Sequence, residues 1–572
     1  MFKLVVSYIK KNLRYTPLVI AVFASVLVSV LFSFYKSGYH TDEVWTYGLA
    51  NSYHKPFLDG VNRDDDTIHI SSGNDYTKYL TTDSSDRFKF ESVVYNQERD
   101  VHPPLFYFVI HLISSIFPGE FNKWIGIVPN LLYLAITLIF IYLITQKLTS
   151  NKLLPVVSTL LYGLSVGAVD TSTYIRMYMM MTMFVTIFSY LHVRLVVDKT
   201  YNTKLLIALG LTTFLGFFTQ YYFIIFAAII GILMFIYLLL SKQFNKLWRY
   251  CLAMLSALVA MLLIYPTAYK TILGLNELQI AYNHAQHAIS ALESSDSSLM
   301  QFVYFINMEI FGGMLKPLAI ILFVITLIAV VRKLFIIKIT GQGINIKPAA
   351  RHKSNLIIRN NIIITALLFT SAVAYVVVVS KISVFKEARY VFCIYPIIAI
   401  MATLLIYRVV QLISTKKVAG IVTIISTLIL LAGQYAWFLP IGKYPDTMYT
   451  ADRPLNSYME ANRNNPCIYV YNKGGEWGVT SEDVWLRRCS TVYKVPAKKA
   501  VSESAKIIKN NKSDITSYTI FIGSDADPNA ILRNIKDLNK TKDIKHIHHI
   551  TAANHWGTTN QPDIYHIELN NT

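Results

Sequence analysis

His40-Thr41-Asp42-Glu43-Val44-Trp45 places two adjacent carboxylates directly after a long apolar run. A carboxylate at such a boundary has two ordinary uses. It caps a helix start, with Thr41 or Asp42 as the cap and Glu43 in the first turn, where unpaired N–H groups and the helix dipole favour negative charge. Or it is a general base, since loss of water raises a carboxylate's affinity for a proton. Spacing alone leaves both open.

A second constellation, Asp100-Val101-His102-Pro103-Pro104-Leu105-Phe106-Tyr107, puts an imidazole before a rigid turn and a short apolar helix. Pro-Pro is ordinary punctuation at a helix start. A ring that can donate, accept or ligate beside it is less ordinary, although a lone His is more often structural. Three further strings pair cations or amides with phenols: Tyr174-Ile175-Arg176-Met177-Tyr178, Thr219-Gln220-Tyr221-Tyr222-Phe223 and Lys386-Glu387-Ala388-Arg389-Tyr390. Each alone reads as interfacial anchoring. Together they place Arg and Tyr donors at one level, which is what a phosphate needs.

That level is set by the elements around the strings. The 572-residue chain is 54% hydrophobic and 15% charged, with mean hydropathy +0.42, too apolar for a soluble protein of this length. Apolar runs predict eleven spans near residues 16–35, 124–146, 153–169, 177–197, 204–219, 221–240, 247–265, 315–335, 361–380, 390–407 and 418–439. The run 103–117 is short and reads as a surface helix. The first span, too long for a signal peptide's apolar core and without an obvious cleavage site, reads as retained.

Charge decides the orientation. The segments this count puts inside hold 22 Lys and Arg against one acid, Asp198, whereas the loop 36–123 carries 8 basic and 13 acidic residues. The formal charge of +19 is therefore a product of membrane topology and does not point to nucleic acid. The N-terminus is expected in the cytoplasm and the C-terminus outside, with Asp42, His102, Arg176 and Arg389 all on the outer side. The basic segment 332–359 reads as cytoplasmic, in reach of anionic lipid.

Past Pro440 a polar segment carries short β-rich runs, CIYVY (467–471), YTIFIG (518–523) and IYHIEL (564–569), with helix-like stretches such as Pro528 to Leu538 between. It reads as a small extracytoplasmic α/β domain, 441–572, beside a membrane domain, 1–440. Cys467 and Cys489 fall within it, and pairing is left open. His546, His548, His549 and His555 match no standard zinc spacing, and the alternation in KHIHHI suits a strand.

In this order the strings TDE (41–43), DVHPPLFYF (100–108), RMY (176–178), TQYYF (219–223) and ARY (388–390) with the later Pro396 resemble the polyprenyl-phosphate-sugar transferases of the GT-C class. That class includes glycosyltransferase family 39, protein O-mannosyltransferases and aminoarabinose transferases. The resemblance covers roughly residues 15–440; the C-terminal domain matches in position only. It implies a polytopic α-helical GT-C fold with about eleven spans and outer juxtamembrane helices. It makes Asp42 the catalytic base with Glu43 beside it, gives His102 a part in shaping the site, and turns Arg176 and Arg389 to the carrier phosphate, with Tyr178, Gln220, Tyr221 and Tyr390 in the substrate site. Many relatives have His where Gln220 stands, which weakens any metal or acid-base role there.

The implied partners are a polyprenyl-phosphate sugar, undecaprenyl-linked in a bacterium, membrane lipid, and an extracytoplasmic acceptor that is a cell-wall polymer, a lipid or a protein. One base and direct attack imply inversion at the anomeric carbon. No cofactor is needed, although Glu43, Glu98 and His102 are groups that could assemble a metal site. The rival readings are a transporter of lipid-linked sugars, which calls for polar groups in mid-span, and a membrane sensor, which leaves the DE and HPP strings unexplained.

Overall fold

The computed structural model describes residues 15–58, 67–199, 201–272, 298–340, 343–348, 356–438, 446–471, 482–510, 515–539, 541–549 and 562–570. Side chains of 332–348, 356–359, 437, 438, 446, 546, 548 and 549 are outside this description. Residues 1–14 with their basic cluster, 349–355 of the expected cytoplasmic loop, and His555 also lie outside the described residues.

Apolar stretches become helices because a chain without water must satisfy its backbone groups within the segment. Among the described residues, eight helices are long and apolar enough to cross a membrane, or ten if two bent pairs each count as one span. The protein is a multi-pass membrane protein. The expected span at 204–219 is a helix of 17 residues, Thr203–Thr219, just below that length. Span 153–169 is broken into Leu154–Gly163 and Val166–Thr173, bent by 56°. Span 315–335 is preceded by a helix absent from the sequence reading, Leu299–Phe311, and the pair bends by 81°.

Both breaks have identifiable causes. At the first, the Ser165 hydroxyl accepts from Ala168 N at 3.1 Å and starts a new helix. At the second, Gly312 and Gly313 adopt φ of 58° and 80°. A Cβ on Gly312 would come within 2.5 Å of Gln434 N, so both conformation and space call for glycine there. Gln434 then joins the breaks. Its Oε1 accepts from Val166 N at 2.9 Å, and its Nε2 donates to Ile310 O at 2.8 Å. One amide thus satisfies a donor at one helix start and an acceptor at the other helix end, groups that a helix terminus leaves orphaned.

The run after Pro103-Pro104 is a 12-residue helix, Leu105–Ile116. It packs against Thr41–Asn51, Phe90–Gln97 and Trp124–Leu148.

Among the described residues the strands are β1 (His69–Ser72), β2 (Phe335–Thr340), β3 (Gly343–Pro348), β4 (Cys467–Tyr471), β5 (Thr491–Pro496), β6 (Ser517–Ile522), β7 (Thr541–His549) and β8 (Asp563–Leu569). β2 and β3 form a separate hairpin, and the other six make one sheet in the order β1-β5-β4-β6-β8-β7. β4 runs parallel to β5 and β6, while β1, β8 and β7 join antiparallel. The edge strand β1 comes from the first loop, so the C-terminal sheet is completed by residues more than 400 positions upstream, His69 facing Lys494. Cys467 and Cys489 form a disulfide with Cα atoms 6.0 Å apart.

Candidate active site

Helix Thr41–Asn51 begins by a device other than the expected one. The cap is His40, whose Nδ1 accepts from Asp42 N at 3.0 Å, and Glu43 Oε2 returns the bond by accepting from His40 N at 2.7 Å. This capping box leaves the Asp42 carboxylate out of the helix start. Thr41 and Asp42 are therefore not the cap.

Glu43 is fully buried and committed. Its Oε2 also accepts from Lys36 Nζ at 3.0 Å, and its Oε1 accepts from Ile175 N at 2.7 Å. Burial raises the Glu43 pKa and lowers that of Lys36, each opposed chiefly by the other's charge. These ties hold the Asp42 turn against the Ile175 backbone. Lys36 also donates to Thr447 O at 2.6 Å, so the segment leading into the C-terminal domain shares this anchor.

Asp42 lies beside it with one oxygen engaged. Arg389 Nη1 donates to its Oδ2 at 2.7 Å, and Tyr174 OH donates to the same oxygen at 3.1 Å. Among the described residues no hydrogen bond reaches Oδ1, and 11% of the side chain remains accessible. Burial would raise the Asp42 pKa, as expected from the sequence. The opposing charges of Arg389 and, to a lesser degree, Arg176 outweigh it and hold the carboxyl well below its ordinary range. The expectation of raised basicity is thus reversed in the free protein, because the cations that surround Asp42 come from distant parts of the chain.

Arg176 lines the other side and is 2% exposed. Its Nη1 donates to Asp42 O at 3.1 Å, Thr46 Oγ1 at 3.0 Å and Tyr107 OH at 3.0 Å. Its Nη2 lies 3.3 Å from His102 Nε2. A guanidinium only donates, so this His102 nitrogen is the acceptor and Nδ1 carries the hydrogen that meets Asp100 Oδ2 at 2.9 Å. Burial raises the Asp100 pKa, but His102 and then Arg176 bring it below its usual value.

Phenols close the remaining wall. Tyr178 stacks on Tyr174 at 5.9 Å and meets Tyr390 edge-on at 6.5 Å, and Tyr222 lies against Tyr390 at 5.1 Å. The structure therefore brings together Asp42, His102, Arg176, Tyr178, Arg389 and Tyr390. Gln220 is the buried C-cap of Thr203–Thr219, and Tyr221 packs edge-on against Phe217 at 5.7 Å, within electrostatic reach of Asp100. In that string Tyr222 is the residue facing the site. Tyr107, Asp100 and Tyr174 were quoted in the motifs without a role, and only the fold gives them one.

Among the described residues no group of three His, Cys, Asp or Glu is arranged to hold a metal ion. Glu43, Glu98 and His102 thus do not form such a set. The sequence reading also missed acids buried in the helical body. Asp170 accepts from Thr447 Oγ1 at 3.0 Å, and Glu309 lies within electrostatic reach of the Tyr395 phenol.

Residues 101–269 match the family model described as dolichyl-phosphate-mannose-protein mannosyltransferase. No curated protein matches the sequence. Among solved structures, the chain is similar to ArnT from Cupriavidus metallidurans bound to undecaprenyl phosphate, with TM-score 0.50 and 11% identity over 96% of this chain and 97% of that one. Apo ArnT matches with TM-score 0.49, 11% identity and the same coverage. The oligosaccharyltransferase of Archaeoglobus fulgidus, tethered to an acceptor peptide, matches with TM-score 0.43 and 10% identity over 90% of this chain and 69% of that one.

Proposed function

We propose that this chain, a membrane glycosyltransferase of the GT-C class, is an inverting enzyme that moves a sugar from a polyprenyl-phosphate carrier to an acceptor outside the cytoplasm. Undecaprenyl phosphate, which the similar ArnT structure holds, is the proposed carrier. A cell-wall glycopolymer, lipid or protein is the proposed acceptor. The single observation that carries this reading is the Asp42–Arg389 pair with Arg176 on the other side of the same carboxylate residue.

An acceptor hydroxyl is a poor nucleophile near neutral pH, so Asp42 takes its proton as attack develops at the anomeric carbon. The leaving group is a lipid phosphate gaining negative charge. Arg389 and Arg176 are fixed donors for that charge and stabilise it most in the transition state. The two roles are coupled through Arg389. When the carrier phosphate draws the guanidinium toward itself, Asp42 loses the charge that holds its pKa down, and it becomes a stronger base only with donor bound. His102, held in one tautomer by Asp100, accepts from Arg176 and keeps that guanidinium aimed. Tyr178 and Tyr390 offer rings and hydroxyls along the same wall.

The proposed orientation puts the N-terminus in the cytoplasm and residues 441–572 outside, as a domain joined to the membrane domain 1–440. It is supported by the charge bias of the loops and by the Cys467–Cys489 disulfide, which belongs to an oxidising compartment. Mass spectrometry of envelope glycans from cells with and without the gene tests the reading. A sugar modification present only with the gene supports it, and identical glycans in both overturn it.

A further inference from the structure

Tyr178 stacks on Tyr174 beside Asp42. The 20-residue helix that starts there, Tyr178–Val197, carries the chain about 30 Å to the opposite face of the helical body. There the ends of several spans surround a cavity of about 380 Å³ whose lining includes Lys199, Tyr201, Gln243, Lys246 and Asn360 and no carboxylate. The adjacent acid, Asp198, faces Lys147 at 2.8 Å and Arg194 at 3.3 Å. Two lysines thus share a cavity whose described lining residues supply no opposite charge.

Its polar groups give this cavity the character of an anion site. Lys246 lies in the first turn of helix Phe244–Ile264, where the dipole disfavours a cation unless an anion stands nearby. The side chain of the cap residue, Gln243, makes no capping bond and instead accepts from Lys246 Nζ at 2.8 Å, so it does not compete with an anion for the first-turn N–H groups. Lys246 also rests over the Tyr201 ring at 4.8 Å. The Tyr201 hydroxyl is buried and has no hydrogen-bond partner among the described residues, which a buried donor rarely tolerates. Lys199, finally, adopts φ of 54°, a left-handed conformation usually left to glycine or asparagine at a helix end. A lysine at a helix C-terminus is explained by the dipole alone. Lys246 and the Tyr201 hydroxyl are not.

We propose that this cavity binds the phosphate of an anionic membrane phospholipid, at the face opposite the transfer site. Lys199, Lys246 and the Tyr201 hydroxyl contact the phosphate. Leu195 and Ile363 in the wall, at the level where spans end, favour a headgroup whose chains continue into the bilayer over a free phosphate ion. The inference rests on no part of the sugar-transfer reading.

Native mass spectrometry of the purified full-length protein, titrated with phosphatidylglycerol or phosphatidylcholine of matched chains, tests it. The wild type should retain phosphatidylglycerol in preference. The double variant Lys199→Ala, Lys246→Ala should bind it about 30-fold more weakly, the loss expected for two interfacial cations. Tyr201→Phe keeps the ring under Lys246 and should weaken binding several-fold, which separates loss of the site from misfolding. Retention of phosphatidylglycerol by the double variant at wild-type affinity overturns the site. Displacement of the lipid by an equal concentration of inorganic phosphate overturns the lipid assignment.

Discussion

Arg389 Nη1 and Asp42 Oδ2 are 2.7 Å apart although the residues are separated by 347 positions in the chain. The contact joins the end of a late span to the turn after the first. It makes the base and the phosphate-binding cation of the proposed reaction one electrostatic unit.

Disrupting that unit has a pH signature. The Asp42 pKa is depressed in the folded protein, with burial raising it and Arg389 the largest opposing charge. A group with a depressed folded pKa contributes stability above its unfolded value, about 3.9, and loses that contribution as pH falls through the folded pKa. The wild-type thermal midpoint should therefore show no loss attributable to Asp42 between about pH 5 and 8. In Arg389→Gln burial is less opposed, the carboxyl pKa rises, and an acid limb should enter that window. An unchanged pH profile in the variant would show that Arg389 does not control Asp42.

Arg176→Lys keeps a positive charge but cannot reproduce the contacts with Asp42 O, Thr46, Tyr107 and His102. Transfer should fall by at least about 10-fold, the effect of losing one charge-assisted hydrogen bond, with the thermal midpoint little altered. Wild-type turnover would reduce Arg176 to an interfacial anchor.

Gln434→Leu leaves Val166 N and Ile310 O without their shared partner. Two buried orphan groups should cost about 2–5 kcal/mol of stability, seen as a lower midpoint in thermal unfolding. A midpoint equal to wild type would show that the bends do not depend on this side chain.

Orientation is checked at Ser502, which is exposed on the helix Ala500–Asn510. A Ser502→Cys protein should react with a membrane-impermeant thiol reagent in intact cells. Reaction only after lysis would place this domain in the cytoplasm and contradict an outward-facing site.

Much of this was legible in the sequence because bilayer physics acts locally. Span positions follow from apolar length, and the strings around Asp42, His102, Arg176 and Arg389 stand where spans end. What the sequence does not show is what depends on distant partners. Glu43 is adjacent to Asp42, yet its fate is set by Lys36 and the Ile175 backbone. The direction of the Asp42 pKa was read from burial alone, and Arg389 reverses it. The alternation of Tyr221 and Tyr222 about a helix start could not say which faces the site. Strand β1 is too short and polar to announce a partner such as Lys494, and Gln434 looks like an isolated polar residue until both broken helices are seen around it.

The most direct test is the initial rate of sugar transfer by Asp42→Asn protein, measured in membrane vesicles at matched protein content alongside binding of undecaprenyl phosphate. Asparagine keeps the shape of the side chain but cannot take the hydroxyl proton. The rate should fall by about 100-fold to 10,000-fold, or roughly 3 to 5 kcal/mol of barrier, while carrier binding is retained because Arg389 and Arg176 remain. Transfer within a few-fold of wild type would contradict Asp42 as the base and leave it only a structural partner of Arg389.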